Sequence, residues 1–131
     1  MSKIIIAAHA QLDGDEKATV VAEISYGGIY FFLFPDLVQL AKQTGQMIDP
    51  QQHAFFAGEH LDQFEDCLHA ALQRAKNQPE NWDQRIGRVL PVGEPMFQRT
   101  VRQDVLTLIG GILDATAVAR KRGHGILVIG S

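Results

Sequence analysis

Between His53 and His69 the chain carries three of its five histidines (His53, His60, His69), its one cysteine (Cys67) and four carboxylates (Glu59, Asp62, Glu65, Asp66). These residue types hold metals, move protons and attack carbonyls, so spacing has to decide among the chemistries. Glu65 and Asp66 precede His69 by four and three residues, which makes them neighbours on one helical face. A lone Asp-x-x-His supplies two ligands at most, whereas structural zinc takes four and catalytic zinc three. The chain has no second Glu-x-x-His for a carboxylate-bridged metal pair, no His-Glu-x-x-His and no Cys-x-x-Cys.

Nucleophilic chemistry fits no better. Cys67 lies among carboxylates, which raise a thiol's pKa, while reactive cysteines sit near cations or helix N-termini. There is no Gly-x-Ser-x-Gly elbow, and Gly123-His-Gly125 follows an expected helix rather than opening one, so it does not make a phosphate cradle. A helix face rich in carboxylates is also what solubility alone produces. His9, in an apolar stretch, reads first as a core or edge residue. No catalytic residue, metal or cofactor is expected.

The elements that would position these groups follow from periodicity. Lys3–Leu12 is apolar and β-branched at its start and runs to Asp13-Gly14; Ala18–Tyr26 is a second strand, so the two are expected to form an antiparallel hairpin. Ile29–Phe34 reads as a third strand buried on both faces. Pro35 suits a first helical position, and the helix it opens ends at Gly45; Asp49-Pro50 looks like a second helix start, for a short piece reaching Gly58. From His60 to Lys76 the apolar residues Leu61, Phe64, Leu68, Ala71, Leu72 and Ala75 form one helical stripe, with Asp62, Glu65, Asp66 and His69 opposite. Trp82 and Ile86, four apart, suggest a turn of helix docked inward.

Pro95–Arg122 reads as the longest helix, with Phe97, Val101, Val105, Leu108, Ile112, Ala115 and Ala119 on its core side and Arg120-Lys121-Arg122-Gly123 as its end. Gly110-Gly111 in its middle points to a kink or a close helix crossing. The apolar stretch Gly125–Gly130 should join the sheet. The expected class is α+β: an antiparallel sheet, made of the N-terminal hairpin or a three-stranded meander plus a C-terminal strand, covered by helices.

Length and composition bound the rest. A chain of 131 residues is one domain, 1–131, long enough for its own core. One cysteine allows no internal disulfide and fits a reducing cytoplasm. No stretch reaches the ~20 apolar residues of a membrane helix, so no membrane partner is expected. Residues 1–84 hold twelve acids against five bases, and residues 85–131 three acids against seven bases. That asymmetry marks either faces for charged partners or two halves that neutralise each other on packing. Arg85, Arg88, Arg99 and Arg102 beside Trp82 would make a modest phosphate-binding patch, but a pI of about 5.9 and the lack of a recognition motif speak against nucleic acid.

The N-terminal hairpin, the helix in HLDQFEDCLHAALQRAKNQPENW and the closing segment ATAVARKRGHGILVIGS together resemble the small immunity proteins of bacterial polymorphic toxin systems. The likeness spans roughly residues 55–131. It implies a cytoplasmic, non-enzymatic protein that binds one cognate toxin and blocks its active site, and it transfers no residue role by position. On that reading Asp62, Glu65, Asp66 and His69 face a basic toxin, with Asp13, Asp15 and Glu16 of the hairpin loop as a second patch. Two other readings stay open: a small enzyme or small-molecule binder with a site between sheet and helices, using His9 or His53, and a regulatory or homodimeric protein pairing through an exposed GILVIG strand.

Overall fold

The computed structural model describes residues 3–9, 19–89 and 93–130. In chain order the elements are β1 (Lys3–His9), β2 (Thr19–Ser25), α1 (Gly28–Thr44), β3 (His53–Phe56), α2 (Glu59–Lys76), β4 (Asn81–Val89), β5 (Glu94–Val101), α3 (Arg102–Lys121) and β6 (Gly125–Gly130). The fold is α+β. Four strands form an antiparallel sheet in the order β2-β1-β6-β3, and β4 and β5 pair as a separate two-stranded ribbon.

The expected hairpin is present, with Lys3 opposite Ser25 and a register shift after Ile6. Its loop, with Asp13, Asp15 and Glu16, lies outside the described residues. The C-terminal strand joins the sheet as expected, but it lies between β1 and β3 and is paired on both sides. This corrects the idea that GILVIG offers a free edge to a second copy: its backbone donors and acceptors are already engaged. Ile4, Ile6, Ile24, Ala54, Phe56, Ile126 and Val128 are all buried, and they alternate along their strands onto the face that the three helices cover.

Four element assignments fail, each for a physical reason. Ile29–Phe34 is not a strand but the first turns of α1, and Pro35 lies inside that helix instead of opening it. Tyr30, Leu33, Leu37 and Leu40 are buried at helical spacing straight through the proline. The run is apolar all round because another side of the helix is covered too: Phe32 packs on Trp82 with ring centroids 5.3 Å apart. Asp49-Pro50 does not start a helix. The Asp49 carboxylate accepts from the Gln51 N–H at 2.7 Å, closing a turn that leads into β3. In β3, Ala54 and Phe56 face inward and pair along β6.

The third and fourth failures are one error about residues 81–101. The segment around Trp82 is strand β4, and Pro95–Val101 belongs to β5, so the last helix begins only at Arg102. A two-stranded ribbon is marginal by itself. Here it rests on α1 through Trp82 on Phe32, and its base is tied by Arg102, whose backbone N–H donates to Glu80 O and whose guanidinium donates to Gln78 O, both at 2.9 Å. A register shift between Arg85 and Gly87 adjusts the pairing. In α3 the buried residues are Val105, Ile109, Ile112, Thr116 and Ala119, so the stripe is turned slightly from the expected one. Gly110 and Gly111 do not mark a close crossing: a Cβ at either position would meet nothing within 4 Å.

No helix among the described residues is long and apolar enough to cross a membrane.

Candidate functional site

The acidic stretch does form a helix. Leu61, Phe64, Cys67, Leu68, Ala71 and Ala75 of α2 are buried, while Asp62, Asp66 and His69 are exposed. The four residues named from sequence are not one open carboxylate surface, however. Arg120, in the last turn of α3, donates through Nη1 to Glu65 Oε2 at 2.7 Å and through Nη2 to Asp62 Oδ1 at 2.8 Å. The hydrogen bond that Arg120 donates to Glu65 is the main cause that raises the Arg120 pKa above its ordinary value, with Asp62 adding to it and partial burial opposing it. The basic end of the chain thus neutralises part of its acidic half, and Arg99 beside Asp83 at 3.6 Å repeats the pattern.

Asp66 sits apart from that clamp. It lines a small cleft of about 160 Å³ with Asp36, Leu40 and Cys67, between α1 and α2. Asp36 is held from the other side by Arg74, whose Nε donates to it at 3.1 Å and whose Nη2 donates to Phe32 O at 2.6 Å. The same guanidinium lies 4.3 Å from the centre of the Phe32 ring. Cys67 is buried, and its thiol donates to Asp36 O at 3.4 Å. Burial first, and the Asp36 carboxylate second, push its pKa up to about 12, against a smaller opposing pull from Arg74. At neutral pH it stays a thiol, which makes it a poor nucleophile.

Among the described residues the histidine side chains do not converge. His53 is exposed at the start of β3, where its Nδ1 accepts from the Gly130 N–H at 3.2 Å. His60 Nδ1 lies 3.4 Å from Gln46 Nε2, which also donates to Phe55 O at 2.9 Å. His124 lines a different cleft with Leu61, Asp62 and Arg120. His9 pairs through its backbone with Gly125. Among the described residues no three His, Cys, Asp or Glu side chains are grouped to hold a metal ion.

What the sequence reading missed is the outer face of the ribbon. Cross-strand pairs place Asn81 opposite Val101, Asp83 opposite Arg99 and Arg85 opposite Phe97, and all six are exposed. Phe97 is 58% exposed and Val101 38%, with Met96 at 40% toward the tip. The sequence spacing instead places Phe97 and Val101 on the core side of a helix. The signal that finds them is local: the turn-forming run Pro91-Val-Gly-Glu-Pro95 divides two stretches of strand-like composition. Opposite this face, Trp82, Gln84, Gln98 and Thr100 turn toward α1, where Gln98 Oε1 accepts from the Gly28 N–H at the start of that helix.

Among the known proteins compared with this chain, no family model, no curated protein and no solved structure matches it.

Proposed function

We propose that this chain is a non-enzymatic binding protein, a cytoplasmic immunity protein that binds and occludes a cognate bacterial toxin domain, as its resemblance to immunity proteins implies. The observation that carries the reading is the outer face of the β4–β5 ribbon. Phe97 stands in water between Arg85 across the ribbon and Arg99 along it, with Val101 next on the same strand. Phe and Arg are enriched in protein interfaces, where a central aromatic excluded from water is a common source of binding energy. A lone exposed apolar residue needs no explanation, but an aromatic, an aliphatic and two guanidiniums on one face of a ribbon form a docking surface of ordinary composition.

On this reading the ribbon makes contact, and the carboxylates of α2 (Asp62, Glu65 and Asp66, with His69 beside them) together with Asp13, Asp15 and Glu16 steer a cationic partner toward it. The Arg120 clamp reduces the charge that Asp62 and Glu65 project, which assigns α2 the secondary part. The test is co-expression with the product of the adjacent upstream reading frame, scored as protection of the host and as binding of the purified pair. Phe97→Asp abolishes protection and leaves the thermal melt unchanged. Protection that survives Phe97→Asp and Arg85→Glu but disappears with His53→Gln would overturn the reading in favour of catalysis.

A further inference from the structure

The core, α2 and the ribbon cover three sides of α1: Leu33 and Leu37 are buried in the first, Asp36 meets Cys67 of the second, and Phe32 packs on Trp82 of the third. The fourth side is apolar as well. Phe31, Phe34, Pro35 and Val38 recur there at helical spacing, with Lys42 one turn further on. Phe34 is 40% exposed, Pro35 and Lys42 are exposed, and Phe31 and Val38 are half-buried. Tyr26 extends the strip past the start of the helix. It is 45% exposed, and its ring centre lies 5.1 Å from that of Tyr30 and 5.2 Å from that of Phe31. Phe31 in turn lies 6.5 Å from Phe34. A single exposed apolar residue needs no partner, but a contiguous strip of this kind marks a contact surface.

The two ends of the strip differ in charge. Lys42 closes one end with an ammonium group that has no ion-pair partner among the described residues. At the other end Tyr26 shares a cleft of about 340 Å³ with Asp49, Pro50 and Gln51. One Asp49 carboxylate oxygen accepts from the Gln51 N–H, and among the described residues this carboxylate has no ion pair either. The strip is also symmetric in its spacing. Phe34 and Pro35 are adjacent at its middle, and Phe31 and Val38 each lie three residues beyond them. Tyr26 precedes Phe34 by eight residues and Lys42 follows Pro35 by seven. At 1.5 Å per residue, Lys42 stands about 11 Å along the helix from the middle.

We propose that this face of α1 is the contact between two copies of the chain, their α1 helices packed antiparallel about a two-fold axis between Phe34 and Pro35. Rotation about that axis exchanges the two halves of the strip. Phe34 packs on the partner's Pro35, Phe31 packs on the partner's Val38, and Lys42 reaches the partner's Tyr26 ring and the partner's Asp49 carboxylate. Each contact occurs twice, as a two-fold interface requires. Parallel helices would set the two Lys42 ammonium groups side by side, which like charges oppose. Burial of the aromatic and aliphatic groups drives the association, and the Lys42 contacts fix its direction. One helix face is small beside the roughly 800 Å² per partner of a standard interface, so the pair is reversible and depends on concentration. The contact lies on a different element from Phe97 and Arg85, so its failure leaves the proposed protein-binding function standing.

Sedimentation velocity on the intact chain, from about 5 μM to about 1 mM, covers the range in which a contact of this size assembles. The average mass rises from one chain toward two, and Phe34→Asp holds it at one. Lys42→Glu raises the dissociation constant by roughly tenfold, because the reversal acts at both ends of a symmetric contact. A mixture of isotope-labelled and unlabelled wild-type chains supplies an arm without any variant. Isotope-filtered NOEs connect the Phe34 ring with Pro35, and the Phe31 ring with the Val38 methyls, between the two copies. That arm decides the matter even if Phe34→Asp folds poorly. A single-chain mass up to the highest concentration overturns the proposal. So does a dimer whose filtered NOEs come from Phe97 or Val101 instead, or one that Lys42→Glu does not weaken.

Discussion

Cys67 shows how little a residue's type says without its surroundings. In the sequence it stands in a chemically promising stretch; in the fold it is a buried thiol donating to Asp36 O, with its pKa pushed up to about 12. Tyr30 is pushed up to about 12 as well, by burial first and then by Asp49 and Tyr26, while its hydroxyl donates to Ile48 O at 2.9 Å. Both folded values lie above the ordinary 9.0 and 10.0. The stability these groups contribute is therefore complete below about pH 9 and is lost as pH rises toward about 12. Urea unfolding midpoints should hold from neutral pH to about pH 9 and then fall, and the fall should be shallower in Cys67→Ala. Native Cys67 should resist iodoacetamide at neutral pH and react once the chain is unfolded. Arg74 gives a second expectation at this scale. Asp36 is only 13% exposed, so Arg74→Met strands its carboxylate and should cost roughly 1–3 kcal/mol in denaturant melts.

Glycines separate the elements that crowd from those that do not. Gly111 is exposed in the middle of α3 with open space where a Cβ would go, so Gly111→Ala should stabilise by roughly 0.5–1 kcal/mol through helix propensity and a less flexible unfolded chain. Gly28 opens α1 against the ribbon, where a Cβ would lie 2.2 Å from Thr100 Oγ1. Gly28→Ala should therefore cost roughly 1–3 kcal/mol by overpacking. Thermal melts of the two variants should move in opposite directions; a shift in the same direction would mean that the ribbon does not press on α1 as described. At this scale the sequence was readable wherever one face packs and the other is wet. The α2 stripe and the β1–β2 hairpin are of that kind. It misled where an element is covered on two sides, as at Ile29–Phe34, because burial all round erases the periodicity that tells a helix from a strand.

For the molecule as a whole, the distribution of charge matters more than its sum. Arg120 from the basic end reaches back to Asp62 and Glu65, so the acidic helix projects less charge than its composition promises. Reversing Asp62 and Glu65 to lysine should do more than alter steering, since it sets two cations beside the Arg120 guanidinium; its stability cost should shrink when Arg120→Glu is added, as a double-mutant cycle in urea would measure. Phe97→Asp makes the complementary case. At 58% exposure it should change stability by less than about 0.5 kcal/mol while removing the centre of the proposed contact. A large loss of stability in Phe97→Asp would mean that the ribbon's outer face is part of the core, and the docking proposal would fall with it.

The residues by themselves determined the α+β class, the hairpin, the acidic helix with its buried stripe, the end of the last helix and the closing strand. Each of these rests on contrasts within a dozen or so neighbouring residues. Only the tertiary structure decided that GILVIG is a central strand, that the ribbon of residues 81–101 leans on α1, and that Arg120 grips the acidic face. Those outcomes depend on partners far apart in the chain, 55 and 58 residues for the two Arg120 bonds. A hydrophobic pattern records which face of an element seeks cover but not which distant element provides it.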